Sequence, residues 1–120
     1  MPSTLLDLNL QQVSDPYFIG SWRVVERILN RSDPSAVLAQ TTHVHLHTGT
    51  LRLDTPATSQ VGQWEVERDS LLSRPYLSLS FAQEQVKALV TRLRRSLNGE
   101  HQLLVLYFQS GLELFLAYPS

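Results

Sequence analysis

Apolar and polar residues alternate on both sides of the turn in "VHLHTGTLRL", and this pattern constrains the fold more than any other feature of the sequence. Alternation with period two is typical of strands that turn one face toward a core. With a two-residue loop at Thr48-Gly49, Leu46 lies opposite Leu51. Val44 then lies opposite Leu53, so one face is apolar throughout. The segment therefore predicts an antiparallel hairpin.

Three histidines occupy the polar face of this hairpin. The same register places His43 opposite Asp54, His45 opposite Arg52 and His47 opposite Thr50. Because alternate strand residues point the same way, His43 and His45 are candidates for sharing a Zn²⁺ ion. A catalytic zinc site also needs a third ligand and an ordered surrounding shell. We therefore expect a solvated outer face here and no metal site.

Turn signals divide the chain into short segments rich in Val, Leu, Thr and aromatic residues, which is typical of an antiparallel all-β domain. Eight strands close a small up-and-down barrel. The predicted strands lie near residues 20–29, 38–47, 50–55, 61–68, 76–81, 86–96, 102–109 and 112–118.

Residues 86–96 fit two structures. As a strand joined by an Asn98-Gly99 loop, Leu93 lies opposite Leu104, and the next pairs are Thr91 with Leu106 and Leu89 with Phe108. Helical spacing is also present, at Val86, Leu89, Val90, Leu93 and Leu97. A helix here would make the fold α+β with a more open sheet.

The C-terminal hairpin is apolar on both faces when its loop is Ser110-Gly111. One face carries Leu104, Leu106, Phe108, Glu113, Phe115 and Ala117, and the other carries Val105, Tyr107, Leu114 and Leu116. A barrel strand turns only one face inward, so the second apolar face needs a cover. Either the N-terminal segment 1–18 packs on or across the barrel, with Leu6, Leu10 and Val13 on one helical face, or a partner or second copy supplies the cover.

Length and composition narrow the functional classes. A chain of 120 residues with 42% apolar residues, 18% charged residues and a net charge of −1 fits a single globular domain, 1–120. The near-neutral charge argues against nucleic acid as the main partner. The chain has no cysteine, no basic leader with a cleavage site and no apolar run long enough to span a membrane, so we expect a cytoplasmic protein.

Two glycine–tryptophan motifs carry a family resemblance. Asp15-Pro16 followed by Gly20-Ser21-Trp22 resembles the G-x-W signature at the start of lipocalins and lipocalin-like domains of the calycin superfamily. The later "VGQWEVERD", with Gly62 and Trp64, is similar to a second such strand. The resemblance implies that Gly20 lets the chain pass close to the closed end of the barrel and that Trp22 plugs that end.

The sequence contains no nucleophile elbow and no glycine-rich phosphate loop, so we expect neither an enzyme nor a cofactor. We predict non-covalent binding of a small apolar or amphipathic ligand inside the barrel. The predicted ligand-binding residues are Val44, Leu46, Leu51, Leu53, Trp64, Tyr76, Leu104, Leu106, Phe108 and Phe115, with Arg92 at the rim. The alternative is an assembly factor or complex subunit with a filled barrel, which binds a protein partner or forms a homodimer through Val105, Tyr107, Leu114 and Leu116.

Overall fold

The structure, a computed structural model, describes residues 4–120. Antiparallel strands account for most of this part of the chain. A 3-10 turn, Asp15–Phe18, precedes β2, and a short helix, α1 (Val37–Gln40), lies between β2 and β3. The strands are β1 (Leu5–Asp7), β2 (Gly20–Ile28), β3 (His43–His47), β4 (Thr50–Asp54), β5 (Ser59–Arg68), β6 (Pro75–Phe81), β7 (Glu84–Ser96), β8 (Gln102–Phe108) and β9 (Glu113–Tyr118).

The strands form a closed up-and-down barrel. From β2 to β9 each strand pairs with its neighbour in the chain, and β9 pairs with β2 to close eight strands. This confirms the predicted all-β barrel, and residues 86–96 are strand rather than helix. β1 adds to the second half of β7, where Leu5 pairs with Ser96. The predicted helical face of Leu6, Leu10 and Val13 is therefore wrong, because 5–7 are held in a strand ladder.

The β3–β4 register agrees with the prediction at every pair, from His43 with Asp54 to His47 with Thr50. The β7–β8 register agrees at Leu93 with Leu104 and then departs from it. A β-bulge at Thr91 inserts one residue, so Leu106 pairs with Val90 and not with Thr91. The predicted pair of Leu89 with Phe108 is wrong for the same reason.

The β8–β9 hairpin turns through three residues, 109–111, and not through two. The Phe108 N–H donates to the Leu112 carbonyl at 2.9 Å, and Gly111 supplies a positive φ of 99°. Three-residue hairpin loops require such a residue at this position. The extra residue shifts the register by one, which reverses the predicted faces of β9.

The shifted register corrects three predicted side-chain positions. Leu114 pairs with Leu106 and Leu116 with Leu104, and both β9 leucines are fully buried inside the barrel instead of on its outer face. Phe115 pairs with Val105 on the outside of the barrel, not in the interior. Val105 is 4% exposed, yet it does not belong to the interior cluster.

The barrel interior is filled with side chains. An eight-stranded barrel has an interior just wide enough for its own side chains. Inward residues from every barrel strand contribute to one continuous cluster. The largest fully buried side chains are Trp22, Phe18, Leu46, Leu51, Leu53, Leu77, Leu79, Leu93, Leu104, Leu106, Leu112 and Leu114.

Two arginines fasten the segments that close the ends of the barrel. At one end Arg68 donates to the carbonyls of Leu10, at 3.1 Å, and Val13, which ties down the N-terminal segment. At the opposite end Arg27 donates to the carbonyls of Ala39 and, at 3.0 Å, Thr41, at the C-terminal end of α1. The prediction of strand from residue 38 is therefore wrong, because residues 37–40 form a helical turn that covers the barrel end.

Candidate ligand site at the helical end of the barrel

The predicted ligand-binding residues separate into two groups in the structure. Eight of them belong to the buried interior cluster, where they fill the space that a ligand would need: Val44, Leu46, Leu51, Leu53, Trp64, Leu104, Leu106 and Phe108. The other three, Tyr76, Arg92 and Phe115, lie on the outer surface. The Lys87 ammonium lies 5.3 Å from the ring centre of Tyr76, and Arg92 Nε lies 3.6 Å from the Asp7 carboxylate.

An apolar cavity of about 180 Å³ lies between α1 and the adjacent end of the barrel. Its walls combine α1 residues Val37 and Leu38 with Phe81 at the end of β6, Val86 in β7 and Leu112 before β9. Phe81 and Leu112 are buried, 4% and 2% exposed. A cavity of roughly 150 Å³ lined by apolar side chains is large enough to bind benzene. The space therefore fits a single ring or a short aliphatic group.

The rim of this cavity carries negative charge. Asp33 and Glu84 line it together with Ser32 and Ser110. The Ser35 hydroxyl donates to the Asp33 carboxylate at 2.7 Å, and the Ser35 backbone N–H donates to it at 2.9 Å. These two hydrogen bonds lower the pKa of Asp33 below its ordinary value of 3.8, so the carboxylate is ionised at neutral pH. The rim favours a cationic group over an anionic one.

The sequence prediction missed this cavity because it assigned residues 38–47 to one strand. None of the predicted ligand-binding residues lines it within residues 4–120. A signal was present in "SDPSAVLAQ", where Asp33-Pro34-Ser35 is typical of a turn closed by the Asp side chain. Leu38, Ala39 and Gln40 then favour helix. That segment places α1 over the barrel end.

The histidine face forms a hydrogen-bonded cluster that links four strands. His45 Nδ1 lies 2.8 Å from Ser21 Oγ, and His45 Nε2 lies 2.8 Å from the Asp54 carboxylate. Asp54 also accepts from Arg52 Nε at 3.1 Å and from the Ser59 hydroxyl at 2.8 Å. Burial raises the pKa of Asp54, but these three hydrogen bonds outweigh it and hold the pKa below 3.8.

This cluster has the residue types of a Ser-His-Asp triad, but acyl transfer also needs N–H donors aimed at the developing oxyanion. Ser21 lies within β2 and pairs with His45 across the β2–β3 ladder, where backbone N–H groups are committed to the sheet. The ring of His43 stacks on that of His45 with 6.1 Å between their centres. Within residues 4–120, no three acidic, histidine or cysteine side chains converge as metal ligands. The arrangement cross-links β2, β3, β4 and β5.

Comparison of the chain with protein-family models, curated protein sequences and solved structures gives no match. Across residues 4–120, no helix has both the length and the apolar character that crossing a membrane would require.

Proposed function

We propose that the protein binds a small apolar or amphipathic molecule non-covalently in the cavity beneath α1. The observation that carries the proposal is the location of this space: the barrel interior is packed with its own leucines, whereas an apolar space of about 180 Å³ lies at the barrel end. Ligand sites in proteins are mostly apolar, with a few polar groups that fix the orientation of the ligand. Phe81, Val86 and Leu112 supply the apolar walls, and Asp33 and Glu84 supply the polar rim.

The same features define the chemistry of the ligand. The volume limits the buried part to about the size of one benzene ring. The carboxylates at the rim attract a positively charged group and repel a carboxylate or phosphate. We therefore propose a ligand with a ring or short alkyl body and an amine head group, and no covalent step.

We also propose that the chain is a lipocalin-like domain of the calycin superfamily. The support is the position of Trp22, which is fully buried next to the end closed by the N-terminal segment. Its Nε1 donates to the Phe18 carbonyl at 3.0 Å, and its ring centre lies 5.6 Å from that of Tyr118. At the second motif, a Cβ on Gly62 would lie 1.9 Å from the Ser80 carbonyl oxygen, so the close approach of β5 and β6 requires glycine.

Two-dimensional ¹H–¹⁵N NMR titration with three compounds of similar size tests the ligand proposal. Toluene, benzylamine and phenylacetate share a ring and differ in the charge of the head group. We expect benzylamine to shift the amide signals of Val37, Leu38, Val86 and Leu112 at the lowest concentration, and phenylacetate at the highest. Absence of shifts at millimolar concentrations of all three, or shifts confined to other residues, would contradict the proposal.

A matched pair of variants locates the site. Val86→Phe fills the cavity and should abolish the shifts, whereas Val61→Phe makes the same change at an exposed position of β5, 66% exposed, and should leave them unchanged. Retained binding in a folded Val86→Phe protein would place the ligand elsewhere.

A further inference from the structure

Strand β8 is apolar on both of its faces. Leu104, Leu106 and Phe108 point into the barrel, while Leu103, Val105 and Tyr107 point outward. Tyr107 of this outward group is 43% exposed. The neighbouring strands add further apolar side chains around it, of which Ile28 in β2 is 40% exposed. We define this patch as the outer face, and its residues are Ile28, Leu89, Leu103, Val105, Tyr107, Phe115 and Ala117. Apolar side chains grouped on the outer side of a sheet suit contact with another molecule.

The outer face is organised in rows that run across four strands. One row passes from Arg92 in β7 through Val105 and Phe115 to Glu26 in β2. Opposite charges therefore lie at the two ends of this row, with two apolar residues between them. The side-chain charges on the two sides of a line between β8 and β9 are therefore opposite in sign.

A second row repeats this relation. It passes from Leu89 through Tyr107 and Glu113 to Ile28. Two copies can be placed with their outer faces in contact and related by a 180° rotation about an axis that lies in the contact plane and runs between β8 and β9. Each residue of one copy then lies over the residue of the other copy that normally sits at the same distance on the opposite side of the axis. Leu89 then meets Ile28 of the second copy, and the Tyr107 hydroxyl meets the Glu113 carboxylate.

We propose that the outer face is a two-fold symmetric homodimer interface, in which Arg92 of each copy pairs with Glu26 of the other and the half-buried Phe115 lies next to the axis. A two-fold interface is self-complementary by construction, and the charge order of the first row meets that requirement. In a third row Arg94 of one copy lies over Arg23 of the other, and these two positive charges repel each other. The Asp7 carboxylate lies 3.2 Å from Arg94 Nε and offsets this repulsion.

The curvature of the barrel explains why the charges lie at the ends of the row. Two convex surfaces touch at their centres and diverge toward their flanks. Short apolar contacts at Phe115 suit the centre, whereas the long side chains of Arg92 and Glu26 suit the wider gap at the flanks. Within one chain these two residues are three strand spacings apart, about 14 Å. Among the ion pairs of residues 4–120 none joins them. Arg92 Nε lies 3.6 Å from the Asp7 carboxylate, which it shares with Arg94, and the Arg92 side chain is still 55% exposed.

Sedimentation equilibrium over a range of protein concentrations tests the dimer, with charge-reversal variants at the flanks. We expect a dimer for the natural sequence. Glu26→Arg and Arg92→Glu each place like charges together at two symmetric contacts, and each should raise the dimer dissociation constant roughly 100-fold. The double variant Glu26→Arg/Arg92→Glu restores opposite charges between copies and should recover the dimer. Glu65→Arg, on the exposed side of β5, is the control and should dimerise normally.

A monomer at every concentration up to hundreds of micromolar would overturn the proposal, including the case in which the outer face instead binds a different protein. Failure of the double variant to recover the dimer, while each variant remains folded, would overturn it as well. Because the outer face and the cavity beneath α1 are separate, Val86→Phe should not change the dimer dissociation constant. A change there would contradict the assignment of the interface.

Discussion

The register of the β8–β9 hairpin determines which β9 residues lie in the core, and a pair of serine substitutions tests it. Leu114 is fully buried inside the barrel, whereas Phe115 lies half-buried on the outer face. Leu114→Ser removes three carbon groups, worth about 2.4 kcal/mol at about 0.8 kcal/mol each. The cavity left behind and a buried unpaired hydroxyl add about 1–3 kcal/mol more. The total cost is about 3.5–5.5 kcal/mol.

Phe115→Ser should cost far less, about 1–2 kcal/mol, because the side chain loses only partial burial and the new hydroxyl faces water. The assay is urea unfolding followed by circular dichroism at pH 7, at protein concentrations below those that favour association. With a urea dependence of about 1.5 kcal/mol per molar, the midpoint should fall by about 3 M for Leu114→Ser and by about 1 M for Phe115→Ser. If Phe115→Ser is the more destabilising variant, the register is that of a two-residue loop and the structure's account of β9 is refuted.

Two further predictions concern stability. Gly62→Ala should reduce the free energy of unfolding by about 2–3 kcal/mol in the same urea assay, because its Cβ would lie 1.9 Å from the Ser80 carbonyl oxygen and the strands must separate; an unchanged midpoint would refute this. The Leu72 backbone N–H, with those of Arg74 and Leu71, lowers the pKa of Asp69 below 3.8. The resulting stability is present above the unfolded pKa of about 3.9 and lost as pH falls through the folded pKa, so Asp69→Asn should lower the urea midpoint at pH 6 and flatten its decline between about pH 4 and pH 2; parallel profiles would contradict this.

Local alternation was sufficient to predict the barrel and one hairpin in full. In β3 and β4, Val44, Leu46, Leu51 and Leu53 alternate with polar residues, so only one register buries all four leucine and valine side chains. Slipping that register by one residue would place the histidines in the core. The sequence of β3 and β4 therefore distinguishes the correct register from one that is shifted by one residue.

The sequences of β8 and β9 do not distinguish between registers in this way. Both faces of β8 are apolar, so the two-residue and three-residue loops bury similar side chains, and alternation does not distinguish them. The bulge at Thr91 is invisible for a similar reason, since Val90 and Thr91 are both acceptable strand residues. The predicted positions of Leu114, Leu116 and Phe115 depended on this unresolved choice.

The cavity beneath α1 was beyond prediction from local patterns. It is formed by residues from three separate parts of the chain, near 37, 81–86 and 112, which only the closure of the barrel brings together. The four residues of α1 are too few to give a helical period, and Arg27 fixes them through tertiary hydrogen bonds. Sequence patterns predicted the barrel but not the cavity between α1 and the barrel end.

Crystallography under xenon pressure tests most directly the claim that the barrel is filled and that its ligand site lies beneath α1. Xenon enters apolar cavities large enough to hold it and needs no knowledge of the natural ligand. We predict a xenon peak in contact with Phe81, Val86 and Leu112. A peak among Leu46, Leu104 and Leu106 in the barrel centre, or no peak beneath α1, would contradict it.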